Sequence, residues 1–496
     1  MLLGSRKEEN NLTLDKDLAS VQEVRNLVES AKIAQKDYGV LSQSQIDNVV
    51  EQVYLATFSN AEGLAKLANE ETGFGKWEDK MAKNVLASKS LWESMKDIKT
   101  VGFIEEDTVK KVVKIGVPMG VVAGLIPSTN PTSTVIYKAL IALKAGNSIV
   151  FSPHPSALKC IMATVNVIKG ALAKAGVSRD LVGCISMPTM EATDALMKHR
   201  DVSMILATGG SAMVKAAYSS GTPALGVGPG NVPAFIEKTA DVEDAIEKIF
   251  RSKGFDYGTV CASEQAIVVE KSIEDKVRAE IVKRGGFFLR GEALEKVKRI
   301  MEKPNGGMNP DIVGRSAKYI AELANIEIPA GTTLLLSDEK GVGRSFPFSK
   351  EKLTQLMAFY TVEDWKEACE LCHKLLQNGG LGHTLSIHSN DESIIKKFAL
   401  EKPVSRFLVN TPSTHGAVGL STGLAPSFTL GCGTVGGSAT SDNVTPLHLI
   451  NIRWMAYGLE EKKEDKPVCS LESDDSIDID KICELVVKQL KNLNLN

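Results

Sequence analysis

The spacing of apolar residues divides the chain into a helical N-terminal region and two later regions in which strands and helices alternate. Over residues 14–98, apolar positions recur every three or four residues, as in 21–35 and 45–58, which predicts a series of amphipathic helices. Asn60 is predicted to cap the next helix. Alternating valines and isoleucines between residues 108 and 122 then predict strands.

From residue 121 to residue 269, short apolar runs alternate with helical runs. The predicted strands are 121–126, 148–151, 181–186, 204–207 and 234–236. The predicted helices are 132–145, 157–175, 190–198, 211–219 and 242–252. Such alternation requires crossover connections, so it predicts an α/β fold with a parallel sheet covered on both faces. A second α/β series follows to about residue 430, with helices predicted at 272–284, 293–301, 316–323 and 364–376.

Two segments near the C-terminus break the alternation. Residues 458–476 are charged and poor in large apolar side chains, which is typical of a solvated linker. Helical spacing resumes in 477–496, where Ile479, Ile482 and Leu485 share one face. Because an isolated helix of this length is marginal in water, we expect it to dock on the body of the protein or on a partner.

Composition limits the classes of function. A chain of 496 residues is too long for one hydrophobic core and predicts two or three domains. The net charge of -3 gives no electrostatic footprint for nucleic acid or for an anionic membrane. No apolar core follows the first residues, so we expect no secretory signal, and eight scattered cysteines suit a reducing cytosol. These features predict a cytoplasmic globular protein.

One cysteine pair matches a haem-attachment pattern. Cys369, Cys372 and His373 form a C-x-x-C-H string, but the apolar spacing of residues 362–376 is helical and no second C-x-x-C pair is present. Both cysteines are therefore predicted to lie on a helix face, and no metal site is predicted.

Cys261 is the strongest candidate for a reactive side chain. It lies among small residues ahead of the apolar run 266–269, which places a thiol at the mouth of a strand. A thiolate is the best nucleophile among ordinary side chains. The alternative is a buried inert cysteine, as most cysteines are.

Two loops at the carboxyl ends of predicted strands are placed to bind ligands. Asn130 follows the first strand of the series, and its amide is suited to steadying the negative oxygen of a tetrahedral intermediate. A helix-capping role is the alternative for Asn130. In the segment 207–212, glycines let the backbone approach a pyrophosphate at a helix N-terminus.

Residues 255–265, these two loops and the segments 379–384, 413–419 and 426–434 together resemble the CoA-acylating aldehyde dehydrogenases, over about residues 14–457. The resemblance implies that Cys261 attacks an aldehyde while Asn130 and the Cys261 N–H steady the oxyanion. Hydride would pass to NAD or NADP, and coenzyme A would then remove the acyl group from Cys261. The cofactor-binding residues that the resemblance implies are Thr208, Gly209, Gly210, Ser211, Glu351, Ser152, His154 and Pro127.

Gly226 separates this reading from its nearest alternative. Hydrolytic aldehyde dehydrogenases carry a glutamate at the matching position, where it activates the water that cleaves the thioester. Without a general base there, the thioester can wait for another thiol. The alternatives are a hydrolytic enzyme that makes the free acid, and a catalytically idle scaffold or cargo protein. Gly226 argues against the first, and the presence of Cys261 and Asn130 argues against the second.

The cofactor and the aldehyde stay open at this stage. Ser152 stands where hydrolytic relatives carry a lysine that touches the adenosine ribose, and His154 replaces part of that contact, which leaves NAD or NADP open. Acetaldehyde or propanal is the expected substrate. Sulfoacetaldehyde is the alternative, with Arg406 or a lysine meeting the sulfonate.

The resemblance also implies a domain plan. The segments 1–106 and 119–237 form the nucleotide-binding domain, and 238–431 forms the catalytic domain. The strands of 107–118 and the segment 432–457 form an oligomerisation element that pairs across the subunits of a homodimer or homotetramer. The helix in 477–496 resembles an encapsulation peptide that would dock on shell proteins or co-encapsulated enzymes in the lumen of a bacterial microcompartment; packing on its own oligomer is the alternative.

Overall fold

The structure, a computed structural model, describes residues 15–303, 307–459 and 479–492. Its helices are α1 (Lys16–Tyr38), α2 (Gln43–Ser59), α3 (Ala61–Thr72), α4 (Trp77–Val85), α5 (Leu91–Met95), α6 (Pro131–Lys144), α7 (Leu158–Lys174), α8 (Met190–Met197), α9 (Ser211–Tyr218), α10 (Val242–Gly254), α11 (Glu274–Lys283), α12 (Gly291–Met301), α13 (Ala317–Ala324), α14 (Trp365–Gln377), α15 (Glu392–Glu401), α16 (Ser413–Ala417) and α17 (Ile479–Asn492). Its strands are β1 (Gly102–Asp107), β2 (Val112–Pro118), β3 (Val121–Ile126), β4 (Ser148–Pro153), β5 (Val182–Cys184), β6 (Val202–Thr208), β7 (Ala224–Val227), β8 (Val232–Ile236), β9 (Glu264–Glu270), β10 (Gly286–Leu289), β11 (Leu334–Asp338), β12 (Leu356–Val362), β13 (Gly382–His388), β14 (Val404–Val409) and β15 (Ile450–Ala456).

The helices α1–α5 form where the apolar spacing predicts them. A capping box starts α2, in which Ser42 Oγ accepts from the Gln45 N–H and the Gln45 side chain accepts from the Ser42 N–H. Asn60 takes the N-cap position of α3, as predicted, but without a side-chain capping bond. Its side-chain amide donates backwards to the Ala56 carbonyl at 2.9 Å, so it makes no capping bond to α3.

The first α/β region forms a five-stranded parallel sheet with the order β5-β4-β3-β6-β7. The chain runs outward from β3 to β5 and then returns to β6 on the other side of β3. This reversal makes the carboxyl ends of β3 and β6 a topological switch point, where sheets of this kind bind ligands. The apolar pattern missed β7, a strand of four residues.

Helix α7 supports this sheet from one side. With the turn before it, Pro155–Lys174 is long and apolar enough to cross a membrane by length and composition alone. However, Cys160, Ile161 and Ile168 of α7 are fully buried in the main hydrophobic core, where α7 packs against α2, α3 and α6.

The second α/β region forms a seven-stranded parallel sheet with the order β10-β11-β12-β9-β8-β13-β14. The predicted limit at residue 237 assigned 234–236 to the nucleotide-binding domain, whereas β8 pairs with β9 and β13 in this sheet. Cys369 and Cys372 lie buried on α14, as the helical spacing predicts. The predicted α/β class with parallel sheets is confirmed.

A three-stranded antiparallel sheet, β1-β2-β15, stands apart from the two larger sheets. Its strand β15 pairs with β2 of the same chain over 450–456 and 112–118, so the expectation that this pairing occurs across subunits is wrong. In the order β1-β2-β15, β2 has both of its edges paired within the chain, and β15 is left as an edge strand. Trp454 and Ile452 on that strand are 57% and 42% exposed.

The C-terminal helix forms as predicted and keeps its apolar face exposed. Ile479, Ile482 and Leu485 of α17 are 67%, 53% and 62% exposed. All but the first two residues of the predicted linker lie outside the described residues.

Candidate active site

A cleft of about 600 Å³ lies between the two large sheets. Its walls come from loops at the carboxyl ends of β3, β4, β5 and β6 and from loops that precede β8, β9 and β12. Every predicted site residue except Ser211 lines it, namely Cys261, Asn130, Pro127, Ser152, His154, Thr208, Gly209, Gly210 and Glu351. Ser211 lies exposed in the first turn of α9 and does not line the cleft.

Cys261 lies in a tight turn directly before β9. A Cβ atom at Gly230 would lie 2.0 Å from the Cys261 carbonyl oxygen, so only glycine lets the neighbouring loop pass this close. Burial is the largest cause that raises the pKa of Cys261 to about 12. The charge of Glu351 and the nearby Cys432 add to the rise, and the charge of Arg406 opposes it. The thiol therefore holds its proton at neutral pH and must lose it before it can attack.

Asn130 stands at the start of α6, but its side chain makes no capping bond, so the helix-cap alternative is wrong. Its Nδ2 donates to the Thr259 carbonyl at 3.3 Å and to Thr129 Oγ1 at 3.2 Å. Its Oδ1 accepts from the Lys83 ammonium at 2.6 Å. Both amide atoms are thus held beside the turn that carries Cys261.

Glu351 is the one acidic side chain in the described lining of the cleft. Its Oε1 accepts from the Gly230 N–H at 3.0 Å. Burial raises the pKa of Glu351 to about 7, although the Gly230 N–H and the charges of Lys253 and Lys352 oppose this. A carboxylate poised near neutrality is suited to accept hydrogen bonds from a diol or to take up a proton.

The far end of the cleft fits a dinucleotide. The Thr208 hydroxyl is buried at the end of β6 and has no hydrogen-bond partner among the described residues. Gly210 opens α9 without a side-chain cap, and a Cβ atom there would meet open space, so the first N–H groups of the helix stay accessible to an anion. Ser152 Oγ pairs with Thr193 Oγ1 at 2.8 Å, and His154 Nδ1 accepts from Ser156, so both residues are already engaged within the protein.

Gly226 lies in β7 with no room for a larger side chain. A Cβ atom there would lie 2.7 Å from Val214 Cγ1 and 2.9 Å from Tyr218 Cε2, both on α9. The Tyr218 hydroxyl accepts from the Gly226 N–H at 2.9 Å, and Ser438 Oγ donates to the Gly226 carbonyl at 2.8 Å. The position therefore holds no carboxylate and packs against α9.

Arg406 does not line the cleft, so the alternative in which it meets a sulfonate is wrong. Its guanidinium is 3% exposed on β14 and donates to protein acceptors, including the carbonyls of His383 and Gly431. Among the described residues, no group of three or more His, Cys, Asp or Glu side chains is placed to hold a metal ion.

The apolar pattern missed several residues that line the cleft. Pro188, Thr189 and Thr193 come from the loop after β5 and from α8. In the sequence, only their position after a short parallel strand indicates a binding role. A threonine at the start of a helix is usually interpreted as a cap, and Thr189 does cap α8.

Comparison with known proteins decides the family. The model of the aldehyde dehydrogenase family matches residues 9–327. The chain belongs to the aldehyde dehydrogenase family. This family member is 42% identical over 448 residues to the bifunctional aldehyde-alcohol dehydrogenase AdhE of Escherichia coli, a match that takes in 89% of the chain and 50% of that protein. The chain thus spans half the length of that relative.

Two solved aldehyde dehydrogenases have the same fold. The crystal structure of an acetylating aldehyde dehydrogenase from Geobacillus thermoglucosidasius matches 90% of this chain and 99% of its own, with a TM-score of 0.89 and 51% identity. A propionaldehyde dehydrogenase from the fucose utilisation bacterial microcompartment of Clostridium phytofermentans matches 88% of this chain and 97% of its own, with a TM-score of 0.81 and 26% identity. The resemblance to aldehyde dehydrogenases and the predicted fold are confirmed.

Proposed function

We propose that this aldehyde dehydrogenase oxidises a short-chain aldehyde, such as acetaldehyde or propanal, to its acyl-CoA. Cys261 gives its proton to solvent in the cleft, and its sulfur bonds to the aldehyde carbon. The carbonyl oxygen becomes an oxyanion that the Asn130 amide and the Cys261 N–H receive. NAD(P)+ supplies the hydride acceptor when it is bound. The sulfur of CoA then bonds to the acyl carbon, and the Cys261 thiolate leaves.

The observation that carries the proposal is the environment of Gly226. A hydrolytic enzyme needs a base there to activate water. Val214 and Tyr218 occupy the space into which a side chain would project, and Tyr218 is held in place by the Gly226 backbone. The site therefore offers no carboxylate at this position. The names of the Geobacillus and Clostridium proteins, which describe acetylating and propionaldehyde-oxidising enzymes, agree with this reading.

The cofactor assignment follows from the far end of the cleft. Thr208, Gly209 and Gly210 would hold the pyrophosphate, and Glu351 would accept hydrogen bonds from the ribose next to the nicotinamide. Ser152, His154 and Pro127 line the route between them. The described lining holds no carboxylate near Ser152 that would repel a 2′-phosphate, so both NAD and NADP are compatible with the site.

The decisive assay measures NADH formation from acetaldehyde and from propanal, each with and without CoA, and quantifies thioester and free acid. We expect NADH formation to require CoA and the product to be the thioester. A Cys261→Ala variant is the control, and it should form no NADH while it keeps the native thermal transition. Free acid formed without CoA would instead place the protein among the hydrolytic enzymes.

The exposed edge of β15 supports assembly into a homo-oligomer. A free strand edge that carries an exposed tryptophan is a template for pairing with a second copy. Light scattering should therefore report at least a dimer, and Trp454→Glu should shift the mass toward the monomer. A monomeric wild-type protein would contradict this proposal.

The apolar face of α17 supports targeting to a microcompartment. Val486 and Leu490 are 51% and 53% exposed, so the helix has a face suited to dock in a hydrophobic groove. Deletion of 477–496 should leave specific activity unchanged but remove the enzyme from isolated compartments. Lost activity in the shortened chain would instead favour packing on the enzyme's own oligomer.

A further inference from the structure

A buried cluster of charged side chains lies next to the cleft, where its lysines bond to Thr129 and Asn130 of the cleft lining. Asp256 is fully buried and receives ion pairs from two lysines of α4, Lys83 and Lys80, with Lys80 at 3.1 Å. Its other oxygen accepts from the Lys76 N–H at 2.8 Å, and its own N–H donates to Asp79 at 2.8 Å. Helix α4 and the residue before it thus hold in place the segment that precedes Cys261.

That segment has a strained backbone. Asp256 and Tyr257 have φ values of 48° and 51°, a left-handed conformation that is unfavourable for a residue with a side chain. Burial alone would raise the pKa of Asp256, but the charges of Lys83 and Lys80 hold it below its usual value, so the carboxylate stays ionised. The ion pairs therefore offset the strain and fix the turn before Cys261.

Lys83 bonds to two residues that Lys80 does not reach, Thr259 and Asn130. The three hydrogens of its ammonium go to Asp256, to Thr259 Oγ1 at 3.1 Å and to Asn130 Oδ1 at 2.6 Å. An ammonium group has donors only, so it must face the carbonyl oxygen of the Asn130 amide and not its NH2 group. The NH2 group is thereby turned toward the turn that carries Cys261.

We propose that Lys83 is a positioning residue that sets the orientation of the Asn130 amide and so assembles the oxyanion hole. Without the ammonium, the amide is held by the longer bonds from Nδ2 to the Thr259 carbonyl and Thr129 Oγ1, and rotation by half a turn would present its oxygen, which repels the developing oxyanion. The ammonium also draws electron density from the Asn130 carbonyl, which makes the N–H groups stronger donors. This inference rests on the proposed role of Asn130 but not on which acceptor removes the acyl group.

Lys80 supplies a matched control. It lies one turn before Lys83 on α4, is equally buried, and bonds to the same Asp256 oxygen, but its second bond goes to the Thr129 carbonyl at 3.2 Å. Either lysine can be replaced by methionine while the other keeps Asp256 paired. A difference between the two variants therefore reports on the bonds of Lys83 to Asn130 and Thr259 and not on the ion pair with Asp256.

The test measures two reactions that both pass through an oxyanion at Cys261: aldehyde-dependent reduction of NAD+, and release of p-nitrophenol from p-nitrophenyl acetate, which needs neither cofactor nor CoA. Loss of an oxyanion-hole donor costs roughly 100- to 1000-fold in rate, so we expect about that loss for Asn130→Ala. For Lys83→Met we expect a loss of at least about 10-fold in both reactions, and for Lys80→Met less than about threefold. The KM for NAD+ should stay within about twofold of the wild-type value.

The double variant separates positioning from simple structural support. In the Asn130→Ala background, Lys83→Met should cost less than about twofold, because there is no amide left to orient. An equal loss in both backgrounds, or equal losses for the two lysines, would overturn the proposal. Ester cleavage needs neither aldehyde nor CoA. If the enzyme does not form acyl-CoA, only the product assay would show it, and the four ester-cleavage rates of the double-mutant cycle could still be compared.

Discussion

Substitution of Gly230 by alanine tests whether the close passage of two loops fixes the nucleophile. The added Cβ atom would lie 2.0 Å from the Cys261 carbonyl oxygen. Since Cβ atoms essentially never approach another heavy atom closer than 3.0 Å, the two backbones must separate by at least 1.0 Å. The Gly230 N–H also holds Glu351, so the shift moves both functional side chains.

The expected loss follows from that displacement. A misplacement of about 1 Å at a reacting centre can cost on the order of 100-fold in rate, and overpacking costs about 1–3 kcal/mol of stability. We therefore expect Gly230→Ala to lower the turnover number for aldehyde oxidation about 100-fold and to lower the unfolding temperature by a few degrees. Steady-state NADH formation and a thermal scan measure the two effects.

Gly254→Ala is the control for the same chemical change close to the nucleophile turn. A Cβ atom at Gly254 has no heavy atom within 4 Å, and its φ of -70° is open to any residue. We expect this variant to keep near-normal activity. If Gly230→Ala matched it in both turnover and stability, the steric account of the nucleophile turn would be refuted.

Three further outcomes follow from the site. Because burial raises the pKa of Glu351 to about 7 and a bound cofactor favours the ionised carboxylate, NAD+ affinity should rise from pH 6 to pH 8; Glu351→Gln should abolish this rise in a titration followed by calorimetry. Asp256→Asn should cost about 3–5 kcal/mol in denaturant unfolding, since two buried lysines lose their counter-charge, and a cost below 1 kcal/mol would contradict that account. Gly226→Glu should produce no free acid, because Tyr218 and Val214 fill the space that the new side chain needs. Acid formation by this variant would show that these two side chains can move aside.

Several parts of this protein could be predicted from local sequence. Helix and strand periodicity located most elements, because burial of one face imposes a repeat on each segment by itself. Cys261, Asn130 and the glycines at 209 and 210 were recognisable because each stands in a short string whose chemistry needs those residue types. The structure brings them into one cleft.

Tertiary structure decided which distant segments meet. The contact between Lys83 and Asn130 joins residues 47 positions apart, and that between Lys83 and Asp256 joins residues 173 apart. A buried lysine on a helix carries no local mark that tells it from an exposed one, so no pattern in α4 indicated this cluster. The contact between Tyr218 and Gly226 likewise could not be predicted from local sequence, because it depends on how α9 packs on β7.

Sheet membership shows the same division. The strand β8 was recognisable from its apolar residues, yet its place between β9 and β13 was not, and the predicted limit at 237 put it in the wrong sheet. A strand's side-chain pattern reports only whether its faces are buried. Its neighbours are set by hydrogen bonds between distant segments and by how the helices cover the sheet. No local pattern in the strand reports these contacts, because they form only when the whole chain folds.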